Sequence, residues 1–254
     1  MGRASDSRFL IDGSDINTES STKTTVDDED GRYQRAIRYP YDWPSDCYLF
    51  HSGRSHLVHD RIAAREGRVA VLAYGSNRSP EQLMRKFGKL HANQAIFVER
   101  CELSGWDVIH SAHVTRYGAI PAALVANPDV TIRVAVTWLD NKQLYIMDES
   151  ESTGCNYGRQ TLTRSAKPGD GDANEYEVQA YVTSHGPLRV DQQLVSHAAI
   201  DAKGRPDKGL HTIDVLKRAH TLFASTQSFK QFVLGLCDDA RYRKEITHLL
   251  KQGL

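Results

Sequence analysis

The chain has 254 residues, of which 40% are apolar and 25% are charged, and its 32 basic residues balance its 32 acidic ones. This composition is typical of a soluble globular protein, and the balanced charge gives no reason to expect binding to nucleic acid or to an anionic membrane. The four cysteines are far apart and form no Cys-x-x-Cys pair, which argues against a zinc site or a disulfide framework and favours reduced thiols in the cytoplasm.

The N-terminal region contains two segments of different composition. Residues 1–32 are rich in Ser, Thr and Asp and cannot bury enough apolar surface to offset the entropy of ordering, so we predict a disordered acidic tail. They contain no apolar core of the kind found in secretory signals. Residues 33–67 include the aromatic run Tyr39-Pro40-Tyr41-Asp42-Trp43-Pro44, and we expect this segment to pack on the main domain as an arm.

The main domain is predicted to begin at residue 68 with a strand, a glycine turn and a helix. The apolar run Val69-Ala70-Val71-Leu72-Ala73 has the length of a strand, and the turn residues Tyr74-Gly75-Ser76-Asn77 follow it. Ser79 then fits a helix N-cap, with Pro80 at the first helical position and Gln82 as the third residue of a capping box.

A glycine turn before a helix N-terminus is a candidate anion site. Unpaired amides and a partial positive charge lie at such a terminus, and a glycine lets a ligand approach the backbone closely. The sequence has neither Gly-x-x-x-x-Gly-Lys nor Gly-x-Gly-x-x-Gly at this point, so a small carboxylate is favoured over a nucleotide. The alternative is an ordinary connection between a strand and a helix.

The remaining elements predict an α+β fold. Short apolar runs at residues 95–98, 106–112 and 122–125 are typical of strands. Residues 131–139 alternate, with Ile132, Val134, Val136 and Trp138 on one face. Two further strands at 157–164 and 176–183 are predicted to form a hairpin, and helices dominate after residue 188.

Glu151 is the candidate acid/base. Asp140 and Gln143 fit the capping box of a helix on which Leu144 and Met147 share one face. Glu151 continues that face toward the core, whereas Glu149 is predicted to point to water. A carboxyl group turned toward the core is disfavoured in its charged form, which suits proton transfer. The alternative is that the helix has already ended and Glu151 caps or solvates its exit.

Three other features were considered as sites. His110 and His113 have a spacing that places them on opposite faces of a strand, so a metal site is not expected. His113, Arg116 and Tyr117 could line a pocket from the loop before Gly118. Cys155 shows no clear base partner and is interpreted as part of a pocket wall or the core.

These motifs together resemble the gamma-glutamylcyclotransferase-like family over roughly residues 68–185. The resemblance rests on Val71-Leu72-Ala73-Tyr74-Gly75-Ser76-Asn77 before a helix, and on Leu144-x-x-Met147-Asp148-Glu149-Ser150-Glu151 with Asn156-Tyr157 after it. A glycine-proline turn, Gly118 to Pro121, lies between them.

The resemblance implies a small mixed β-barrel flanked by helices, formed by residues 68–187, with a helical C-terminal extension over 188–254. It implies a cyclotransferase that converts a γ-glutamyl amine, amino acid or peptide to 5-oxoproline without a metal or cofactor. Glu151 would be the general acid/base. The substrate would be held by Tyr74, Gly75, Ser76 and Asn77, with Tyr157 shaping the pocket.

Two positions depart from the family pattern and leave the substrate open. Ser152 stands where a glycine is common, and Arg78 where an apolar residue is common. The arm and the C-terminal extension could cover the pocket, bind a partner or form a homodimer. The alternatives to a cyclotransferase are a γ-glutamyl amide hydrolase or acyltransferase, and a non-catalytic binding module on the same fold.

Overall fold

The computed structural model describes residues 28–88, 95–151, 156–162, 166–168 and 176–254. Its helices are α1 (Glu29–Ile37), α2 (Arg61–Arg65), α3 (Pro80–Phe87), α4 (Asn141–Ser150), α5 (Thr212–Phe223), α6 (Phe229–Asp238) and α7 (Ala240–Leu250). Its strands are β1 (Tyr48–His51), β2 (Arg54–His56), β3 (Val69–Ala73), β4 (Ile96–His110), β5 (Ala122–Leu139), β6 (Tyr157–Thr161), β7 (Lys167–Pro168), β8 (Gln179–Thr183), β9 (Arg189–Val190), β10 (Gln193–Leu194) and β11 (Ala202–Lys203).

A long antiparallel pair, β4 and β5, forms the centre of the main sheet. The strand order is β2-β1-β4-β5-β3-β8-β6, and of these neighbours only β3 and β8 are parallel. The register between β4 and β5 shifts at Gly105, which has a φ of +83°; such a bulge bends the strand. The four short strands predicted from the sequence are therefore parts of two long, bent strands, β4 and β5.

The sheet curves into an approximate barrel. The segment that carries β6 and β7 pairs with β8 at its beginning and with β4 at its end, so the two sides of the sheet approach each other without a complete ring of paired strands. The predicted α+β fold is confirmed. The alternating residues of β5 also behave as predicted, because Ile132, Val134 and Val136 are buried in one apolar cluster.

The helices α1, α5, α6 and α7 form a second apolar cluster at one end of the sheet. Buried faces of the three C-terminal helices, including Leu216, Phe232 and Ile246, pack with Ala36 of α1 and with Ile120 from the loop before β5. The N-terminal helix therefore joins the C-terminal extension, and both lie against the same end of the barrel. In the described part of the chain, no helix is long and apolar enough to cross a membrane.

The N-terminal arm begins with a helix. Asp28 caps α1 and accepts a hydrogen bond from the amide of Gly31, so the last four residues of the predicted acidic tail, 29–32, are helical. Residues 1–27 lie outside the described residues. The aromatic run packs inward: Tyr39 is buried, and Trp43 lies between the guanidinium groups of Arg78 and Arg100, 4.6 and 4.3 Å from its ring centre.

Candidate active site

A cavity of about 1020 Å³ opens between the end of the barrel and the helical cluster. Its walls are built by the glycine turn after β3, the C-terminal ends of α3 and α4, the start of β6, the loop before β5, and one face of α7. Elements that are distant in sequence meet here because β3 and β5 are neighbours in the sheet and α4 directly follows β5.

The glycine turn leads into a short 3-10 helix rather than directly into α3. Residues Ser76–Arg78 form this turn, with Gly75 at its N-cap and Ser79 at its C-cap. The first amides of such a turn have no acceptor within it. The predicted capping box at Ser79 is wrong: its hydroxyl makes no cap hydrogen bond and is buried with no partner among the described residues. The glycine turn predicted as an anion site thus continues into the 3-10 helix instead of running straight into α3.

Glu151 is the C-cap residue of α4, so the helix has ended at Ser150 as the alternative interpretation allowed. Its side chain nevertheless turns inward and is only 15% exposed. Its Oε1 atom accepts a hydrogen bond of 2.9 Å from Nδ2 of Asn77. The structure thus brings the carboxylate into direct contact with the glycine turn, whereas Glu149 is exposed and bonds the hydroxyl of Tyr145.

Lys86 is a site residue that the sequence analysis missed. Its ammonium group pairs with Glu151 and is itself only 7% exposed, and it also lies 3.3 Å from Sδ of Met147. The sequence predicted that Glu151 turns toward the core but did not predict the ammonium group that pairs with it. No local signal marks Lys86, since a lysine in the last turn of a helix is ordinarily solvated.

The other predicted substrate-binding residues line the same cavity: Tyr74, Gly75, Ser76, Asn77 and Tyr157. Tyr74 is buried and its hydroxyl donates to the carbonyl of Tyr181. That bond fixes Tyr74 as a wall of the site. Tyr157 meets the ring of His113 edge to face at 6.0 Å, and His113, Arg116 and Tyr117 line the cavity as expected.

Of three residues expected at or near the pocket, one takes another position and two lie outside the described residues. Arg78 is buried and points away from the cavity, donating to the carbonyl of Ala199 and lying over Trp43. Burial lowers the pKa of this guanidinium to about 10. Its departure from the family pattern therefore belongs to core packing rather than to the substrate pocket. Ser152 and Cys155 lie outside the described residues.

Gly75 is required by close packing against the arm. A Cβ atom there would collide with the hydroxyl of Tyr39, which accepts a 3.1 Å hydrogen bond from the amide of Ala122. The next contacts, Cζ of Tyr39 at 3.5 Å and Cβ of Ala122 at 3.6 Å, are ordinary. The arm therefore supports the turn from behind.

We expect Gly75→Ala to destabilise the protein by about 1–3 kcal/mol, the usual cost of overpacking, and to reduce ligand binding at the turn. Tyr39→Phe removes the colliding oxygen and by itself leaves the amide of Ala122 unpaired, at a cost of about 1–3 kcal/mol. The double variant should lose less stability than the sum of the two single variants. Denaturant unfolding of all four proteins measures this coupling, and strictly additive losses would contradict the packing argument.

Two buried histidines, His113 on the cavity wall and His110 behind it, have lowered pKa values. Burial, reinforced by the nearby His185, lowers the pKa of His113 to about 3. Burial lowers the pKa of His110 to about 4; its ring stacks on His197 at 4.4 Å. Nδ1 of His113 lies 2.8 Å from the hydroxyl of Ser111. His113 forms part of the cavity wall, and a proton on either buried ring would disrupt its packing.

Stability should therefore fall as the pH falls below the unfolded histidine value of about 6.5. Below pH 6.5 a histidine binds a proton in the unfolded chain, whereas the buried histidine stays unprotonated until the pH falls to its lower pKa in the folded protein. At pH 5 each such histidine therefore lowers the free energy of unfolding by about 2 kcal/mol. Between pH 7.5 and pH 5 the free energy of unfolding should therefore fall by about 2 kcal/mol less in His113→Leu than in the parent. The matched control is His59→Leu at an exposed position; equal pH dependence in the two variants would contradict the expectation.

Comparison with known proteins identifies the family. The sequence model of the family described as gamma-glutamyl cyclotransferase, AIG2-like, matches residues 71–200. The chain belongs to this family, as the resemblance in its sequence indicated. The matched region contains the glycine turn, Glu151 and Tyr157, and ends before α5. No curated protein matches the chain.

Solved structures with detectable similarity are remote in sequence. An Arabidopsis thaliana protein solved in solution is 16% identical, with 63% of this chain and 88% of that chain covered and a TM-score of 0.37. A protein named gamma-glutamyl cyclotransferase is 15% identical, with coverages of 73% and 99% and a TM-score of 0.38. A human protein described as uncharacterised is 12% identical, with coverages of 71% and 87% and a TM-score of 0.38.

Proposed function

We propose that the protein is a cyclotransferase that converts a γ-glutamyl amine, amino acid or peptide to 5-oxoproline and the released amine, with Glu151 as general acid/base. One observation carries the proposal: the carboxylate of Glu151 lies 2.9 Å from the side-chain amide of Asn77, on the cavity that the glycine turn also lines. A proton acceptor and an anion-binding turn thus face the same small volume.

The turn suits the α-carboxylate of the glutamyl group, since the early amides of Ser76–Arg78 and the amide side chain of Asn77 supply hydrogen-bond donors. A substrate held there by its carboxylate has its α-ammonium group one carbon away. That geometry directs the ammonium group toward Glu151, which is the proton acceptor at the edge of the turn.

The reaction can then proceed by proton transfer and ring closure. The Glu151 carboxylate takes a proton from the α-ammonium group, and the free amine attacks the γ-carbonyl carbon to form the new carbon–nitrogen bond. The carboxylic acid returns that proton to the leaving nitrogen, whose bond to the carbon breaks. The ring nitrogen gives up its second proton by the same route, and the product amine leaves as an ammonium ion.

Two features of the site favour this chemistry. Attack within one molecule needs only the correct folding of the glutamyl chain, so positioning removes much of the entropic barrier. The buried ammonium group of Lys86 pairs with the Glu151 carboxylate, which also accepts the hydrogen bond from Asn77. The residue therefore enters the reaction as a base and still contacts the turn.

Product analysis tests the proposal. The purified protein is incubated with a panel of γ-glutamyl amines, amino acids and peptides, and 5-oxoproline and free glutamate are separated and measured. Formation of 5-oxoproline supports the cyclotransferase. Free glutamate alone would replace it with a hydrolase, and binding without turnover of any compound would favour the non-catalytic binding module.

A further inference from the structure

Helix α7 presents a basic stripe to the cavity. The residues of α7 and its C-cap that line the cavity are spaced at helical intervals: Ala240, Arg243, Lys244, Thr247, His248 and Lys251. The apolar residues Ile246 and Leu250 lie on the opposite face and are buried in the helical cluster. The amphipathic pattern of α7 thus places Arg243, Lys244 and the C-cap residue Lys251 on the cavity. These residues lie beyond the family-matched region.

The positive charge in the cavity exceeds what the site itself uses. Among the described residues that line it, seven are Lys or Arg and two, Glu149 and Glu151, are acidic. Lys86 is paired with Glu151. Lys244 and Lys251 are exposed and have no acidic partner in the described part of the chain. The chain as a whole is neutral, so this concentration of charge is local.

The positive charge of Lys251 contributes to the lowered pKa of two histidines on the cavity wall. Burial is the main cause of the lowered pKa of His185, and the positive charge of Lys251 is the next. The same ammonium group also contributes to the lowered pKa of His113, after burial and His185. Lys251, His113 and His185 line the same cavity as Glu151 and the glycine turn, and we expect the part of a substrate beyond the γ-carbonyl to extend toward α7.

We infer that the leaving amine of the substrate is acidic and carries two negative charges beyond those of the glutamyl group, with Lys244 and Lys251 as its specificity-determining residues. The inference rests on the proposed function and narrows its substrate class. A neutral amine would leave these ammonium groups unused, whereas carboxylate or phosphate oxygens would meet them directly. A cavity with one sign of charge also raises the local concentration of ligands of the opposite sign.

A series of γ-glutamyl compounds whose leaving groups carry zero, one or two negative charges tests the inference. The leaving group is neutral in γ-glutamyl methylamide, singly charged in γ-glutamylglutamine and doubly charged in γ-glutamylglutamate. We expect kcat/KM to rise by about tenfold from γ-glutamylglutamine to γ-glutamylglutamate at low salt, and the ratio to shrink in about 0.5 M NaCl. A doubly charged γ-glutamyl phosphoethanolamine distinguishes phosphate from carboxylate as the preferred group.

Variants of α7 provide a second test of the inference. Lys244→Gln with Lys251→Gln should reduce the preference for γ-glutamylglutamate over γ-glutamylglutamine to about twofold or less. The matched control, Lys208→Gln with Lys217→Gln, removes two exposed lysines that do not line the cavity and should keep the full preference. A preference that is equal in both double variants would overturn the inference.

The affinities of the same compounds for the Glu151→Gln protein are measured by calorimetry, so that binding does not depend on turnover. If no compound yields 5-oxoproline but the affinities rise with the negative charge of the leaving group, the cyclotransferase proposal fails and the acidic ligand class stands. If turnover occurs at equal rates and affinities do not change along the series, the reaction stands and the inference is overturned.

Discussion

Glu151→Gln should reduce the rate of 5-oxoproline formation by about 10²–10⁴-fold, the usual contribution of a positioned general acid/base. Glutamine keeps the size of the side chain and can still contact the amide of Asn77, but it cannot accept the proton of the substrate ammonium group. The loss should appear in kcat, with KM changed by only a few-fold. Steady-state kinetics with the best compound of the γ-glutamyl panel measures it.

The control for this prediction is Glu149→Gln, two residues away. Glu149 is exposed, and in the described part of the chain its carboxylate accepts a hydrogen bond from the hydroxyl of Tyr145, so this variant should keep nearly full activity. Thermal unfolding of both proteins separates chemistry from folding. Turnover by folded Glu151→Gln at more than half the parental rate would rule out the proposed role of the carboxylate.

Asp107→Asn should lower the free energy of unfolding by about 3–5 kcal/mol, because it leaves a buried guanidinium group without its counter-charge. Asp107 pairs with Arg205, and their side chains are only 5% and 7% exposed. The carboxylate also accepts hydrogen bonds from the hydroxyl of Ser196 at 2.8 Å and from the amide of Val108 at 2.7 Å. This pair ties the segment before α5 to β4.

The matched control is Glu102→Gln on the same strand. Glu102 is 33% exposed and pairs with Arg133 and Lys203, which are 49% and 62% exposed, so the loss should be about 1 kcal/mol or less. Urea unfolding with an unchanged slope gives both values. Equal losses in the two variants would show that burial does not set the strength of the Asp107–Arg205 pair.

The local charge of the cavity differs from the net charge of the chain. The equal numbers of acidic and basic residues predicted no strongly charged surface, and the family pattern covers only residues 71–200. The structure places the basic face of α7 on the same cavity as the glycine turn. The proposed preference for an acidic leaving group would thus come from a segment outside the family-matched region.

Local sequence determined the elements whose signals lie within one turn or one strand. The strand, the glycine turn and the following helix appear at the predicted positions, and the capping box of Asp140 and Gln143 is formed. Alternation along residues 131–139 identified a strand with one buried face. These features depend on interactions between residues a few positions apart, which the sequence shows directly.

Only the tertiary structure decided which of these elements meet. Lys86 and Glu151 are 65 residues apart and Tyr39 lies 83 residues before Ala122. Periodicity in α7 showed which face is buried but not that its other face borders a cavity. Long-range contacts depend on strand order and on the bend of β4 and β5, which fix where each side chain points and have no local signature in the chain.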